Sequence, residues 1–268
     1  MTQVLLLDGL RRVDAATPVL RADDLGVLRG EAVFETVRIA AGRPAFLDAH
    51  LARLAASAAR LGLPLPTGWE ELARAACQEQ REGVLRLVCT KGPPAFGFAV
   101  VTDVPAETLR AREQGVRVVT LTLGVTAEQR AAAPWLLGGV KSTSYAVNMA
   151  TLRQAHDEGA DDAIWLSSDG EVLEAPTANV ALVLDGTLVT PPPAVGILAG
   201  TTVRAVLDLA RVPATVRRIR AAELHEADEV MLLSSVRGIA PVTALDGREL
   251  GIGPVTKDLR DAFEQSLS

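Results

Sequence analysis

The chain has 268 residues, 49% hydrophobic and 22% charged, with a net charge of −6. That size and composition can bury the core of one large or two modest domains and exclude global disorder. The acidic balance argues against a nucleic-acid partner, which favours a basic face, and no apolar run is long enough to span a membrane.

Val4–Leu7 reads as a strand, too short and without the basic flank of a signal peptide. Asp8-Gly9 turns it, Ala32–Ile39 is a second strand, and Ala41-Gly42 turns back toward Pro44–Leu47. The apolar residues Leu47, Leu51, Leu54, Ala55, Ala58 and Leu61 keep helical spacing, with Asp48 in the first turn and Gly62 as C-terminal cap. A second helix is predicted over Trp69–Gln80, and strands over Val84–Thr90 and Gly97–Val101. Residues 105–115 are polar and carry no strand pattern. They are expected to link a small α+β domain (1–104) to a larger one (116–268).

The second domain opens with a β-branched strand, Val116–Leu123, followed by a helix from about Tyr145 to Glu158. Asp169-Gly170 and Asp185-Gly186 mark two hairpins. Gly200 precedes a helix carrying Val203, Val206, Leu207 and Ala210. A short helix over Ala221–Ala227, a strand over Glu229–Leu233 and a closing helix over Val255–Leu267 complete the reading.

Cys77 and Cys89 show no metal spacing, and His50, His156 and His225 are scattered, so no metal is expected. Two free thiols fit a cytoplasmic protein. Arginine replaces lysine nearly everywhere, leaving only Lys91, Lys141 and Lys257. Codon bias explains this, and it adds slight weight to lysine chemistry at the positions that remain.

Lys141 follows Gly138-Gly139 and precedes a helix. It reads as a solvated loop lysine, or as an imine-forming amine if its surroundings promote proton loss. Glu174 ends a hairpin strand, either as a surface glutamate or as a carboxylate placed to orient a pyridine nitrogen. Gly200-Thr201-Thr202 opens an amphipathic helix. This is an ordinary threonine cap or an anion site built on backbone N–H groups. Arg53 lies off its helix's apolar stripe, solvated or free to hold a phosphate. Neither a Gly-x-Ser-x-Gly elbow nor a zinc motif supports a cofactor-free hydrolase.

In order, these pieces resemble the fold-type IV pyridoxal-phosphate (PLP) enzymes, the class-IV aminotransferase family. The resemblance spans nearly the whole chain. It includes Asp24-Leu25-Gly26-Val27-Leu28-Arg29-Gly30-Glu31-Ala32-Val33-Phe34-Glu35-Thr36-Val37-Arg38, then His50-Leu51-Ala52-Arg53-Leu54, Lys141, and Glu174 with Asn179. It closes with Gly196–Arg204 and Leu233-Ser234-Ser235-Val236. It implies the two-domain α/β fold of D-amino-acid aminotransferase-like enzymes and a homodimer. It also implies that Lys141 holds PLP as a Schiff base and shuttles a proton, and that Glu174 pairs with the pyridine nitrogen. Arg53, Thr201, Thr202 and Ser235 would hold the phosphate, with Tyr145 near the ring and Asn179 among the cofactor residues.

Thr201 stands where the family more often has isoleucine, but the contact there is through backbone N–H. The short chain, Val33–Arg38 and Ser234-Ser235-Val236-Arg237 look most like the aminodeoxychorismate lyases of the family. That resemblance implies conversion of 4-amino-4-deoxychorismate to p-aminobenzoate and pyruvate, in folate biosynthesis. Thr36 would help deliver a proton to the leaving group, and Arg38, Arg86 and Arg237 would meet the substrate carboxylates. A transaminase acting on branched-chain or D-amino acids is the alternative on the same fold. A non-catalytic binding protein is the rival from another class, and the presence of both Lys141 and Glu174 counts against it.

Overall fold

The computed structural model describes residues 2–267. The chain divides into two compact units. One runs up to Pro105 and includes the later segment Val140–Tyr145, and the other comprises Ala106–Gly139 and Ala146–Ser266.

The first unit contains β1 (Gln3–Leu6), β2 (Arg12–Val13), α1 (Leu25–Arg29), β3 (Ala32–Ala40), β4 (Arg43–Pro44), α2 (Leu47–Arg60), α3 (Trp69–Cys77), β5 (Gly83–Thr90) and β6 (Phe96–Thr102). Its strands pair in the order β2-β1-β6-β5-β3-β4, antiparallel throughout. Side chains alternate across a strand, so Val33, Glu35, Val37 and Ile39 share one face of β3. In register with β5 they meet Cys89, Leu87, Leu85 and Gly83. α2 and α3 cover this face with Leu54, Ala58, Leu72, Ala73 and Ala76. Leu54 and Leu72 are fully buried, each contributing roughly 1.5–3 kcal/mol by leaving water. Phe34, Thr36 and Arg38 look to the opposite face, beside Val88, Arg86 and Val84 of β5.

α1 was not anticipated from the sequence. Asp24 caps it by accepting from the Gly26 N–H at 2.7 Å, and Gly30 ends it in the left-handed region at φ 70°. Five residues are too few to show an apolar period.

The second unit contains α4 (Ala106–Gln114), β7 (Val116–Thr122), α5 (Ala127–Ala132), α6 (Ala146–Asp157), β8 (Asp162–Leu166), β9 (Asn179–Leu184), β10 (Thr187–Thr190), α7 (Thr201–Leu209), β11 (Ala214–Val216), α8 (Ala221–Glu226), β12 (Glu229–Ser234), β13 (Gly238–Leu245), β14 (Arg248–Glu249) and α9 (Pro254–Ser266). The main sheet order is β11-β10-β9-β12-β13-β7-β8, with β14 beside β13. Val180–Val183 of β9 and Val230–Leu233 of β12 are buried residue after residue, as expected of strands covered on both faces. Val180, Leu182, Val230 and Leu232 share one core with Leu224 of α8. Asp185 and Gly186 both take positive φ, 46° and 71°, the two-residue turn that joins β9 to β10 as the sequence predicted.

Two expectations are corrected. Residues 105–115 are not a free linker: Ala106–Gln114 is the helix α4, packed on β13. Of its residues only Ala111 is buried, so no apolar stripe announced it. Lys141 was expected within the larger C-terminal domain, but Val140–Tyr145 packs with the first unit.

Candidate active site

In the first unit, the segment carrying Lys141 completes the edge of β3. The Phe34 N–H donates to the Lys141 carbonyl at 3.0 Å, and the Thr143 N–H donates to the Ala32 carbonyl at 2.9 Å. The Lys141 N–H donates to Ser57 Oγ on α2 at 3.2 Å. The backbone of Lys141 is therefore fixed to both a strand and a helix. Its Nζ lies 4.5 Å from the Phe34 ring centroid and 6.0 Å from that of Tyr145, the chain's single tyrosine. The two rings meet edge to face at 5.3 Å.

Ser57 shares its helix face with Arg53 and His50, which lie four and seven residues earlier on α2. Arg53 donates from Nε to Glu35 Oε1 at 2.8 Å and from Nη2 to Glu35 Oε2 at 2.7 Å. His50 Nδ1 lies 2.7 Å from the same Oε2. Glu35 and His50 are buried within the core face of the sheet, and the Arg53 side chain is 11% exposed. Burial alone pushes the Glu35 carboxyl up. The hydrogen bonds from Arg53 and His50, with the Arg53 charge, outweigh it and hold the carboxyl down at about 2. Burial pushes His50 below its ordinary value, against the pull of Glu35, and the charges of Arg53 and Lys141 add to the lowering. His50 is thus neutral near pH 7 and donates its Nδ1–H to Glu35.

The sequence missed Glu35 and His50 as site-forming residues. The signal was a glutamate in phase with Val33, Val37 and Ile39 on a strand's buried face.

Thr36 and Arg86 are cross-strand partners on the sheet face that also carries Phe34. Arg86 is exposed, and among the described residues none hydrogen-bonds or ion-pairs with its side chain. Arg38 is buried and its Nε lies 3.2 Å from Glu82 Oε1, so this guanidinium already serves a carboxylate.

In the second unit, Glu174 is 8% exposed. Its Oε1 accepts from Arg130 Nη2 at 3.3 Å, and its Oε2 accepts from the Leu198 N–H at 3.1 Å. Arg130 also donates from Nε to the Gly196 carbonyl at 2.8 Å and lies 5.8 Å over the Trp165 ring. Asn179 Nδ2 donates to the Leu198 carbonyl at 2.9 Å. Glu174, Arg130 and Asn179 together fix the loop that leads into α7. At Gly200, its N-cap, a Cβ would stand 2.1 Å from Asn179 Oδ1, so any side chain there would have to displace the Asn179 amide. Thr201 Oγ1 and Ser235 Oγ approach to 3.5 Å, which gathers two of the sequence-predicted phosphate residues, while Thr202 is buried one residue on. Arg112 fixes the turn after Ser235 by donating to the Val236 carbonyl, from Nε at 2.9 Å and also from Nη2. Arg237 pairs with the buried Asp162 at 2.8 Å, so it too is held by a carboxylate. Nothing in the sequence around Arg130 or Arg112 marked them, because their partners are backbone carbonyls and a glutamate distant in the chain.

Among the described residues no helix is long and apolar enough to cross a membrane, and no group of three or more His, Cys, Asp or Glu could hold a metal.

The chain is similar to known proteins over nearly its whole length. The bifunctional aminodeoxychorismate lyase / D-amino acid transaminase of Mycobacterium tuberculosis is 39% identical, over 98% of this chain and 98% of that protein. A structure titled a hypothetical aminotransferase from Mycobacterium tuberculosis, in PLP-bound form, superposes with a TM-score of 0.95 at 37% identity, covering 99% of this chain and 98% of that one. The 4-amino-4-deoxychorismate lyase of Pseudomonas aeruginosa superposes with a TM-score of 0.80 at 31% identity, covering 99% and 98%. Residues 32–245 match the family described as Amino-transferase class IV, and the chain belongs to that family.

Proposed function

We propose that the protein is a PLP-dependent lyase that converts 4-amino-4-deoxychorismate to p-aminobenzoate and pyruvate. The observation that carries this reading is the shared sheet face of Phe34, Thr36 and Arg86, with the Lys141 amine over Phe34. An amine, a hydroxyl and an exposed cation on one sheet face support the reading, because an anionic amine substrate needs all three.

The residues fit the cofactor that this family uses. The carbonyl and the phosphate arm of PLP stand on adjacent ring carbons, so their anchors must be close. Here the Lys141 backbone rests on Ser57, one helical turn from Arg53. Gly200, where a side chain would collide with Asn179, leaves the start of α7 in the form that suits a phosphate. Arg53, Thr201, Thr202 and Ser235 would hold that phosphate and Glu174 the ring nitrogen, while Asn179 shapes the loop between them. Tyr145 would limit movement of the ring.

When bound, PLP supplies an electron sink for charge left on the substrate carbon that bears the amine. Lys141 Nζ takes the proton from that carbon. Thr36 Oγ1 would relay that proton from the Lys141 ammonium toward the departing three-carbon unit, receiving one proton as it gives one. Arg86 orients a substrate carboxylate through its fork of N–H donors. Arg38 and Arg237, each committed to a carboxylate, support the scaffold and not the substrate.

The bifunctional name of the Mycobacterium tuberculosis relative favours a second reading, transamination of D-amino acids at the same site. A homodimer is supported by exposed apolar side chains of the second unit, Trp135 (79% exposed), Val147 and Met149. Cytoplasmic residence is supported by the free, buried Cys77 and Cys89.

The test is to incubate holoenzyme with 4-amino-4-deoxychorismate and follow both products without any keto acid. Catalytic release of p-aminobenzoate and pyruvate, lost in Lys141→Ala and weakened at least tenfold in KM by Arg86→Met, is expected. No aromatic product, with D-amino acids converting the bound cofactor to its amine form, would replace the lyase reading with the transaminase one.

A further inference from the structure

We propose that Glu35 is a positioning residue that holds the Arg53 guanidinium in the orientation needed to take the cofactor's phosphate. The inference rests on the reading of Arg53 as a phosphate ligand and assigns a function to a carboxylate outside the site proper.

Glu35 occupies a costly place. It lies on the core face of β3 between Val33 and Val37, all with no exposure, and opposite Leu87, also fully buried. An ion pair there stabilises little, because desolvation offsets its attraction, and an apolar residue of similar size would serve packing at least as well. What the carboxylate provides is geometry. Its two oxygens take Nε and Nη2 of Arg53 at 2.8 and 2.7 Å, the side-on fork that fixes the guanidinium plane. The guanidinium plane is then set by the sheet and not by the rotamers of a long side chain. His50, one helical turn from Arg53, holds the carboxylate in place through the 2.7 Å contact to Oε2. The same helix receives the Lys141 N–H at Ser57. One rigid helix face therefore fixes both the amine's backbone and the arginine, while Glu35 fixes the last free angle of the guanidinium.

Charge neutralisation and positioning make different predictions. A glutamate needed only to neutralise Arg53 tolerates aspartate, whereas a positioning glutamate does not, because one missing methylene breaks the two-point grip. The experiment titrates apoenzyme with PLP and with pyridoxal, which lacks the phosphate, and follows binding by absorbance and Trp fluorescence. Wild type, Glu35→Asp, Glu35→Gln and Arg53→Gln are compared, with thermal unfolding of each apoprotein as the folding control.

The expected result is a fall in PLP affinity of roughly 10–100-fold in Glu35→Asp, the range seen when a residue that orients a ligand is lost, with pyridoxal affinity within about threefold of wild type. Equal losses for PLP and pyridoxal, or unchanged PLP binding in Glu35→Asp, would overturn the proposal even if Glu35→Gln fails to fold. The underlying reading fails separately: an Arg53→Gln variant that keeps the wild-type preference for PLP over pyridoxal would remove Arg53 from the phosphate site.

Discussion

At the scale of single residues, the chemistry of this protein depends on which charges the fold holds fixed. Glu35 sits at about 2 in the folded chain against an ordinary 4.5. The folded state therefore binds fewer protons than the unfolded one. Relative to the protonated carboxyl, the stability of the ionised form is fully present above about 4.5 and is lost as pH falls toward about 2. His50 acts in the same direction at higher pH. Its folded value lies below the ordinary 6.5, so its contribution begins to fall as pH drops through that value. Urea unfolding at a series of pH values checks this. Wild type is expected to lose stability more steeply than Glu35→Gln below pH 4.5, and parallel curves would contradict the assignment. Part of this was visible in the sequence. Lys141, Glu174, Arg53 and the Thr201-Thr202 start could be picked out as chemical types in a meaningful order. Arg130 could not, since its partners are the Gly196 carbonyl and Glu174, remote in the chain.

At the scale of elements, periodicity made α2 legible and concealed α4. Leu47, Leu54 and Ala58 mark a buried stripe, whereas α4 buries only Ala111. The pairing of Val140–Tyr145 with β3 was not legible for another reason. It is a long-range match between a glycine-led loop and a strand edge more than a hundred residues earlier, and no local pattern encodes it. The loop before α7 shows what an element boundary demands. Gly200→Ala would bring a Cβ to 2.1 Å from Asn179 Oδ1, displacing the side chain that holds the Leu198 carbonyl. This variant is expected to bind PLP about 10–100-fold more weakly while its thermal midpoint moves by only a few degrees. PLP titration of the apoprotein, paired with a melting curve, reads both. Unaltered PLP affinity would show that the loop tolerates the change.

At the scale of the whole molecule, the chain forms two units with separate cores, and each carries some of the residues proposed for cofactor and substrate. The first carries Lys141, Phe34, Tyr145, Thr36, Arg86 and Arg53, and the second carries Glu174, Thr201, Thr202 and Ser235. The α/β architecture with two units was legible from alternating patterns and hairpin signals. The unit to which Lys141 belongs was not, because the chain crosses back for only a short stretch. The central claim is that Lys141 carries the cofactor, and the scarcity of lysine makes it directly measurable. Borohydride reduction of the holoenzyme, followed by peptide mass spectrometry, distinguishes the chain's three lysines. Lys91 is paired with Glu31 at 2.6 Å, and Lys257 lies exposed on α9. The account predicts a pyridoxyl group on the Lys141 peptide alone. A label on Lys91 or Lys257, or none on Lys141, would contradict it.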